Sequence, residues 1–335
     1  MPFFSRDIGV DLGTMYTQVA EGNQILLQEP TIVAVLIEEM KMVEWGSAAN
    51  DMYGRVPDTI EVFRPLQNGV IADFEVTENL LRDLLRRVSG PMGMFKPRVM
   101  VTVPYGVTSV EMRAVHEACL GAGAREVLMI WQPLSAALGV DLPISTPSGN
   151  MIVSLGGGTT QSAILAMNGI VCAETLRGGG LLLDEAIITY LKKKYGLLVA
   201  QPTAEQLKIK IGSALPVAQM GSMEIQGQDQ VSGLPKPLEV KNEDIVEALD
   251  DPLKGIVASI KRVLEKTPPE LLSDIIDRGA ALCGGGAMLR GMDKYLTKSL
   301  GIPAYLVDNP QTCTVEGTIK GISVYPQLRR NLPMG

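Results

Sequence analysis

At 335 residues the chain is long enough for about two domains, each with its own apolar core. A net charge of −7 without any basic stripe argues against a nucleic-acid partner, because phosphate backbones demand clustered Lys and Arg. Cys119, Cys172, Cys283 and Cys313 form no CxxC pair, which speaks against zinc or a disulfide framework and for a reducing cytoplasm. The N-terminus lacks a signal-peptide pattern, and no run of about 18 apolar residues is present to span a membrane.

In chain order, residues 8–19 read as an apolar strand, the turn Asp11-Leu-Gly-Thr14, and a returning strand with Thr17 and Val19. Alternation over 25–37 predicts more strand and then a small module to about residue 66. Asn68-Gly69 marks a turn. Thr77 is predicted to cap a helix whose Leu80, Leu81, Leu84, Leu85 and Val88 share one apolar face. After the apolar loop at 90–95, residues 99–103 read as a buried strand stopped by Pro104. Thr108 and Glu111 have capping-box spacing for a helix ended by Gly121 and Gly123. The single histidine, His116, has no second histidine with which to share a metal and reads as structural. Residues 127–130 form another predicted strand, and Trp131-Gln132-Pro133 opens a helix to Gly139.

Residues 151–165 repeat the grammar of the first hairpin with a longer turn. Without a Cβ at Gly156, Gly157 and Gly158, peptide N–H groups can converge on an anion, and Thr159 and Thr160 add hydroxyl donors. Two like hairpins suggest a duplicated fold whose turns clamp one polyphosphate, with Asp11 holding its magnesium through water. No P-loop signature occurs. Further on, 184–195 is predicted helical, Thr203 and Gln206 cap a second helix, 219–240 forms β-hairpins, and Asp251-Pro252 starts a third helix. Finally, 281–289 reads as a strand, a turn of Gly284, Gly285 and Gly286, and a helix start, a platform that a flat ring can approach. Strands alternating with helices, and a hairpin repeated after about 140 residues, imply an α/β protein of two halves with mixed sheets around a nucleotide cleft.

These segments, in this order, resemble the actin superfamily and within it the MreB/Mbl family of bacterial actins. The motifs carrying the resemblance are Asp11-Leu-Gly-Thr14, Gly69-Val-Ile-Ala-Asp-Phe74, Val103-Pro-Tyr-Gly106, Gly156-Gly-Gly-Thr-Thr160, Asp184-Glu-Ala-Ile187, the run 204–213, Gly284-Gly-Gly-Ala-Met288 and Asp308-Asn-Pro-Gln-Thr312. The resemblance implies an actin-like fold of four subdomains: IA from 1–32, 67–142 and 312–335, IB from 33–66, IIA from 143–180 and 246–311, and IIB from 181–245. It implies ATP or ADP with Mg2+ in the cleft. Gly13, Thr14, Met15, the residues 156–160, Gly179 and Gly180 would face phosphates, Glu205 and Lys208 the nucleoside, and Gly284, Gly285, Gly286, Ala287 and Met288 the adenine. It also implies filaments of the chain with itself at the inner face of the cytoplasmic membrane, guiding cell-wall synthesis with partners of the RodZ, MreC and MreD type.

Several positions depart from the family pattern. Trp131 stands where a water-orienting glutamate is usual, Ser154 where an aspartate helps hold magnesium's waters, Gln161 where a glutamate follows the paired threonines, and Leu181 where an acidic residue is usual. Gln132 and Gln161 are the remaining candidates for orienting water, and neither is a strong base, so hydrolysis is expected to be weak. Phe3, Phe4, Met92, Met94 and Phe95 are the candidate membrane contacts, since the segment before residue 5 is too short and proline-broken for an amphipathic helix. A superfamily kinase, a plasmid-segregating actin-like filament and a heat-shock-type ATPase are the alternatives. Ser154 speaks against the first, and the third needs a peptide-binding domain for which 335 residues leave no room.

Overall fold

The computed structural model describes residues 6–89, 96–217 and 221–333. Its plan is one arrangement used twice. In the first half, Asp7–Leu12, Tyr16–Glu21 and Gln24–Pro30 form an antiparallel meander, and Arg98–Val103 and Glu126–Trp131 add in parallel beside Asp7–Leu12. In the second, Asn150–Leu155, Thr160–Ala166 and Gly169–Leu176 form the meander, and Ala280–Cys283 and Ala304–Leu306 add in parallel beside Asn150–Leu155. The two sheets are thus mixed and identically ordered, as the repeated hairpin implies. All residues of Asn150–Leu155 and Thr160–Ala166 are buried, which fits their nearly continuous apolar runs.

Each half carries a smaller sheet. Val33–Leu36, Lys41–Trp45 and Ile60–Phe63 form the first, and Leu197–Leu198, Ser222–Asp229 and Pro235–Lys241 the second, the latter being the hairpin excursion expected from 219–240. Separate cores fill the halves, one built on Ile8, Val10, Leu80, Leu84 and Val101, the other on Val153, Ile187, Leu207, Ile256 and Ile260. A third, containing Met100, Ile130, Leu134, Ile152, Ala281 and Cys313, joins them. The cysteines are all free; Cys119, Cys283 and Cys313 are buried, and desolvation pushes the Cys119 thiol up to about 12.

Backbone contact makes that junction. Gln132–Gly139 and Cys313–Ser323 are helices that cross where two glycines face carbonyls: a Cβ on Gly139 would sit 1.8 Å from Cys313 O, and one on Gly317 1.7 Å from Ser135 O. The Ser135 hydroxyl donates to Thr314 O at 2.8 Å and Lys320 Nζ donates to Gly139 O at 3.0 Å, so the crossing is bonded as well as close.

Four helix starts differ from the sequence expectation. For Phe74–Ser89 the cap is Asp73, whose Oδ1 accepts from Val76 N at 3.0 Å; Thr77 lies inside and donates back to Asp73 O. Gln201–Ile211 begins before Thr203, with Ala200 O accepting from Thr203 and Ala204 and Pro202 setting the first turn. Asn242–Glu265 begins well before Pro252: Asp244 Oδ2 accepts from Lys241 N at 3.0 Å, and the buried face Ile245, Leu249, Leu253, Ile256 runs through the proline. Packing there outweighs the one hydrogen bond that proline removes. Gly180–Tyr195 begins at Gly180 rather than at 184, for a reason that belongs to the site. The Thr108–Glu111 capping box is present in full around Ser109–Gly121.

Two glycine substitutions separate close approach from simple flexibility. Gly317→Ala forces two helix backbones apart, and about 3 kcal/mol of destabilisation is expected in urea unfolding. Gly255→Ala, on the exposed side of Asn242–Glu265 with nothing within 4 Å of the added carbon, is expected to stabilise by about 0.5–1 kcal/mol.

Candidate functional site

The two hairpin turns meet between the halves. Residues 13–15 join Asp7–Leu12 to Tyr16–Glu21, and residues 156–159 join Asn150–Leu155 to Thr160–Ala166. A Cβ on Gly157 would stand 2.1 Å from Met15 Cγ, and one on Gly158 2.3 Å from Thr14 Oγ1, so only glycine lets the turns face each other at this distance. Each turn is closed internally, by Gly13 N to Tyr16 O at 3.1 Å and Gly156 N to Thr159 O at 2.8 Å. Thr14 Oγ1 accepts from Gly69 N at 2.9 Å, which ties the Asn68-Gly69 turn to the first loop.

The early start of Gly180–Tyr195 follows from the second turn. Gly180 N and Leu181 N donate to Gly156 O and Gly157 O, both at 2.9 Å, so this helix N-terminus braces the turn. Gly179 is required behind it, since its Cβ would lie 2.3 Å from Gly156 O.

These turns wall a cleft of about 440 Å³. Asp11, Gly13, Thr14, Met15, Gly156, Gly157, Gly158, Thr159 and Gly180 line it, and so do Glu205, Lys208, Gly284, Gly285, Gly286 and Met288. Gly284 sits at φ +84°, a conformation that turns the chain out of Ala280–Cys283 into the short 3₁₀ helix Gly285–Met288. Ile209 and Met288 leave apolar surface exposed in the cleft, fit to cover a flat ring. Lys208 is held in place: its Nζ lies 2.6 Å from Asp184 Oδ1 and donates to Gly180 O at 2.9 Å. Burial raises the Asp184 carboxyl, and the Lys208 charge opposes that rise.

Not every expected residue reaches the cleft. Thr160 is buried and its hydroxyl donates to Gly178 O at 3.0 Å, away from the turn's donors. Gly179 and Ala287 lie behind the lining, and Gln161 is fully buried. Phe3, Phe4, Met92, Met94 and Phe95 fall outside the described residues. Conversely, Gln18, Gln28, Gly69, Arg290, Gln311 and Thr314 line the cleft without having been named as site residues from the sequence. For Gln18 a signal existed: it pairs across the first hairpin with Asp11, and opposite residues share a face.

Asp11 anchors a chain of side-chain hydrogen bonds. Its Oδ1 accepts from Thr102 Oγ1 at 2.6 Å and from Gln132 Nε2 at 3.3 Å. Gln132 Oε1 in turn accepts from Gln161 Nε2, and Gln161 Oε1 accepts from Tyr105 N at 2.8 Å. The chain therefore runs from the first sheet through the second and back, with both glutamine carbonyls used. Trp131 packs its indole on Tyr105, ring centroids 5.3 Å apart. Burial pushes the Asp11 carboxyl up, against the lowering effect of Thr102 and Gln132. Among the described residues no three His, Cys, Asp or Glu side chains gather as a metal cluster. One carboxylate whose Oδ2 takes no protein donor does fit magnesium, which keeps several waters and binds through one or two carboxylates plus phosphates.

Two matched hairpin turns closing on a cleft between duplicated halves define an actin-like protein, and solved structures agree. MreB5 of Spiroplasma citri bound to ADP superposes with a TM-score of 0.92 at 33% identity, covering 98% of this chain and 100% of that one. The same protein bound to AMPPNP superposes with a TM-score of 0.92 at 32% identity, covering 98% and 99%. A MamK double helical filament shares the fold, with a TM-score of 0.80 at 20% identity over 98% of this chain and 100% of that one. The family model for MreB/Mbl protein matches residues 5–330. Cell shape-determining protein MreB of Escherichia coli (strain K12) is 42% identical over 96% of this chain and 94% of its own, and Mbl of Bacillus cereus (strain ATCC 10987 / NRS 248) 43% over 94% and 95%. The chain belongs to the MreB/Mbl family.

The raised Asp11 carboxyl has a stability consequence. The penalty for ionising it is absent below the ordinary value of 3.8, grows as pH rises above it, and is complete once pH has passed the higher folded-state value. Asp11→Asn is therefore expected to raise the melting temperature of nucleotide-free protein at pH 7, with the gain shrinking towards zero as pH falls to about 4 in a melting series.

Proposed function

We propose that this chain binds ATP and ADP with magnesium in the cleft, polymerises into filaments on the inner face of the cell membrane and guides cell-wall synthesis, while hydrolysing ATP only weakly. Nucleotide binding is supported by the facing glycine turns and by the ADP and AMPPNP held by the S. citri relative at 33% and 32% identity. Filament formation is supported by family membership and by the cell-shape names of the curated relatives. Membrane attachment rests on Phe3, Phe4, Met92, Met94 and Phe95, and partners of the RodZ, MreC and MreD type follow from the same family reading. The four-subdomain division is part of it.

When bound, magnesium neutralises phosphate oxygens and lowers the cost of gathering their charge. Free peptide N–H groups of the two turns, with the Thr14 and Thr159 hydroxyls, would hold the phosphates, and Asp11 would hold the cation's water. The glycine platform and the apolar surfaces of Ile209 and Met288 would hold the base, and Glu205 and Lys208 the ribose side.

One observation carries the claim of weak hydrolysis. A group that activates the attacking water must take its proton, and the two candidates are amides, which are too weakly basic to do so: Gln132 Oε1 already accepts from Gln161 and Gln161 Oε1 from Tyr105 N, and neither side chain carries a charge. Trp131 accepts no proton, and Ser154 brings no charge. Of the carboxylates that line the cleft, Asp11 is assigned to the cation and Glu205 to the ribose side.

Phosphate release and pelleting measured together across protein concentrations test this. Polymer with release about 100-fold or more below a family member bearing the acidic residues is the expected result, since a lost base costs about 100- to 10,000-fold. Release that rises with polymer at an ordinary family rate refutes it. Gln132→Glu puts a carboxylate at a position that lines the cleft and is expected to increase release about tenfold or more. In liposome co-sedimentation, replacing Phe3, Phe4, Met94 and Phe95 by polar residues is expected to abolish binding.

A further inference from the structure

The cleft face of the first sheet holds a buried polar atom without a partner. The registers Asp11↔Gln18 and Gln18↔Gln28 place these side chains in one transverse row, and Thr102, hydrogen-bonded to Asp11, extends it. All four residues line the cleft. Gln28, at the outer end, is solvated, but Gln18 is only 3% exposed. Its Nε2 donates to Gln311 O at 3.0 Å, which fixes the amide's orientation because a carbonyl can only accept. Gln18 Oε1 is then left buried with no donor among the described residues.

A buried amide oxygen without a donor is unfavourable, and an apolar side chain of roughly similar size, such as leucine, would avoid the cost. A glutamine at this place makes sense if its donor arrives with the ligand. The neighbour that brings one is Asp11, directly across the hairpin. A magnesium ion held at Asp11 keeps several waters, each with two O–H donors, and Ser154, which lines the cleft from the strand Asn150–Leu155, is neutral.

We propose that Gln18 Oε1 accepts from a water of the divalent cation held at Asp11, making Gln18 a positioning residue for the metal–nucleotide complex. The proposal rests on the nucleotide reading above. Gln18 also donates to Gln311, in the segment that returns from the second half to the first, so a cation bound here is linked by one amide to that segment.

Wild type, Gln18→Leu and Gln18→Glu are compared by binding of a fluorescent ADP analogue, titrated with MgCl2 and in EDTA, together with melting of the nucleotide-free proteins. Gln18→Leu is expected to shrink the affinity gained from Mg2+ about tenfold, the usual cost of an outer-shell partner. It is also expected to melt above wild type when nucleotide-free, because the orphaned oxygen is gone. Gln18→Glu is expected to reach half-saturation at lower Mg2+, and it carries the test alone if the leucine variant fails to fold. Magnesium titrations of both variants that superpose on wild type overturn the proposal and leave Gln18 with an ordinary buried water. A wild type that binds no nucleotide, with or without Mg2+, overturns the nucleotide reading itself and this proposal with it.

Discussion

The close approach of the second turn's glycine backbone to the Met15 and Thr14 side chains of the first is the constraint on which the rest of the molecule depends. Gly157 against Met15 and Gly158 against Thr14 leave no room for a Cβ, and Gly179 and Gly284 press on the carbonyls of Gly156 and Leu155 in the same way. A cleft built from main chain needs its two supporting sheets brought tip to tip and kept there. The identical strand order of the halves supplies two equivalent tips. The crossing of Gln132–Gly139 with Cys313–Ser323 supplies the fixed distance, and it too depends on glycines facing carbonyls. Side chains fill the cores, but the position of the cleft is set by places where side chains are absent.

Around that frame the polar groups form a continuous system. Thr102, Asp11, Gln132, Gln161 and the Tyr105 amide are joined donor to acceptor, so a change at Asp11 is felt on a strand of the opposite half. Thr175 Oγ1 donates to Tyr105 O at 2.7 Å and adds a second tie between the halves. Buried amides satisfied in this way rigidify. The same bonding fixes both amides in place, so the groups nearest Asp11 in this system are neutral.

Much of this was legible in the residues. Both hairpins, the capping box at Thr108 and Glu111, the leucine stripe after residue 77 and the glycine platform at 284–286 were set by local rules of turn chemistry and periodicity. What failed was competition between local signals. Thr77 and Thr203 are good capping residues, yet Asp73 and Ala200 start those helices. Pro252 is a good first-turn residue, yet the buried face from Ile245 to Ile256 carries the helix through it. At the site the glycines were visible because their spacing is local. The roles of Gln18 and Gln311 were not, because Gln18 Nε2 meets Gln311 O across 293 positions of sequence. Nor could the sequence reveal that Gln132 and Gln161 bond each other, which decides what each carbonyl is free to accept.

That contrast explains how binding and chemistry can part company in one fold. Recognition through peptide N–H groups depends on backbone shape, and a substitution disturbs it only by placing a Cβ where none fits. Hydrolysis depends on a particular carboxylate at a particular place and is lost with one side chain. Trp131, Ser154 and Gln161 all occupy places that the fold accepts: the indole packs on Tyr105, the serine is buried in its strand, and the glutamine amide is bonded to Gln132, Thr159 and Tyr105. None strains the turns. Exchanges that would silence a water-activating site therefore leave the glycine frame as it was, and the frame is what a nucleotide-held scaffold requires.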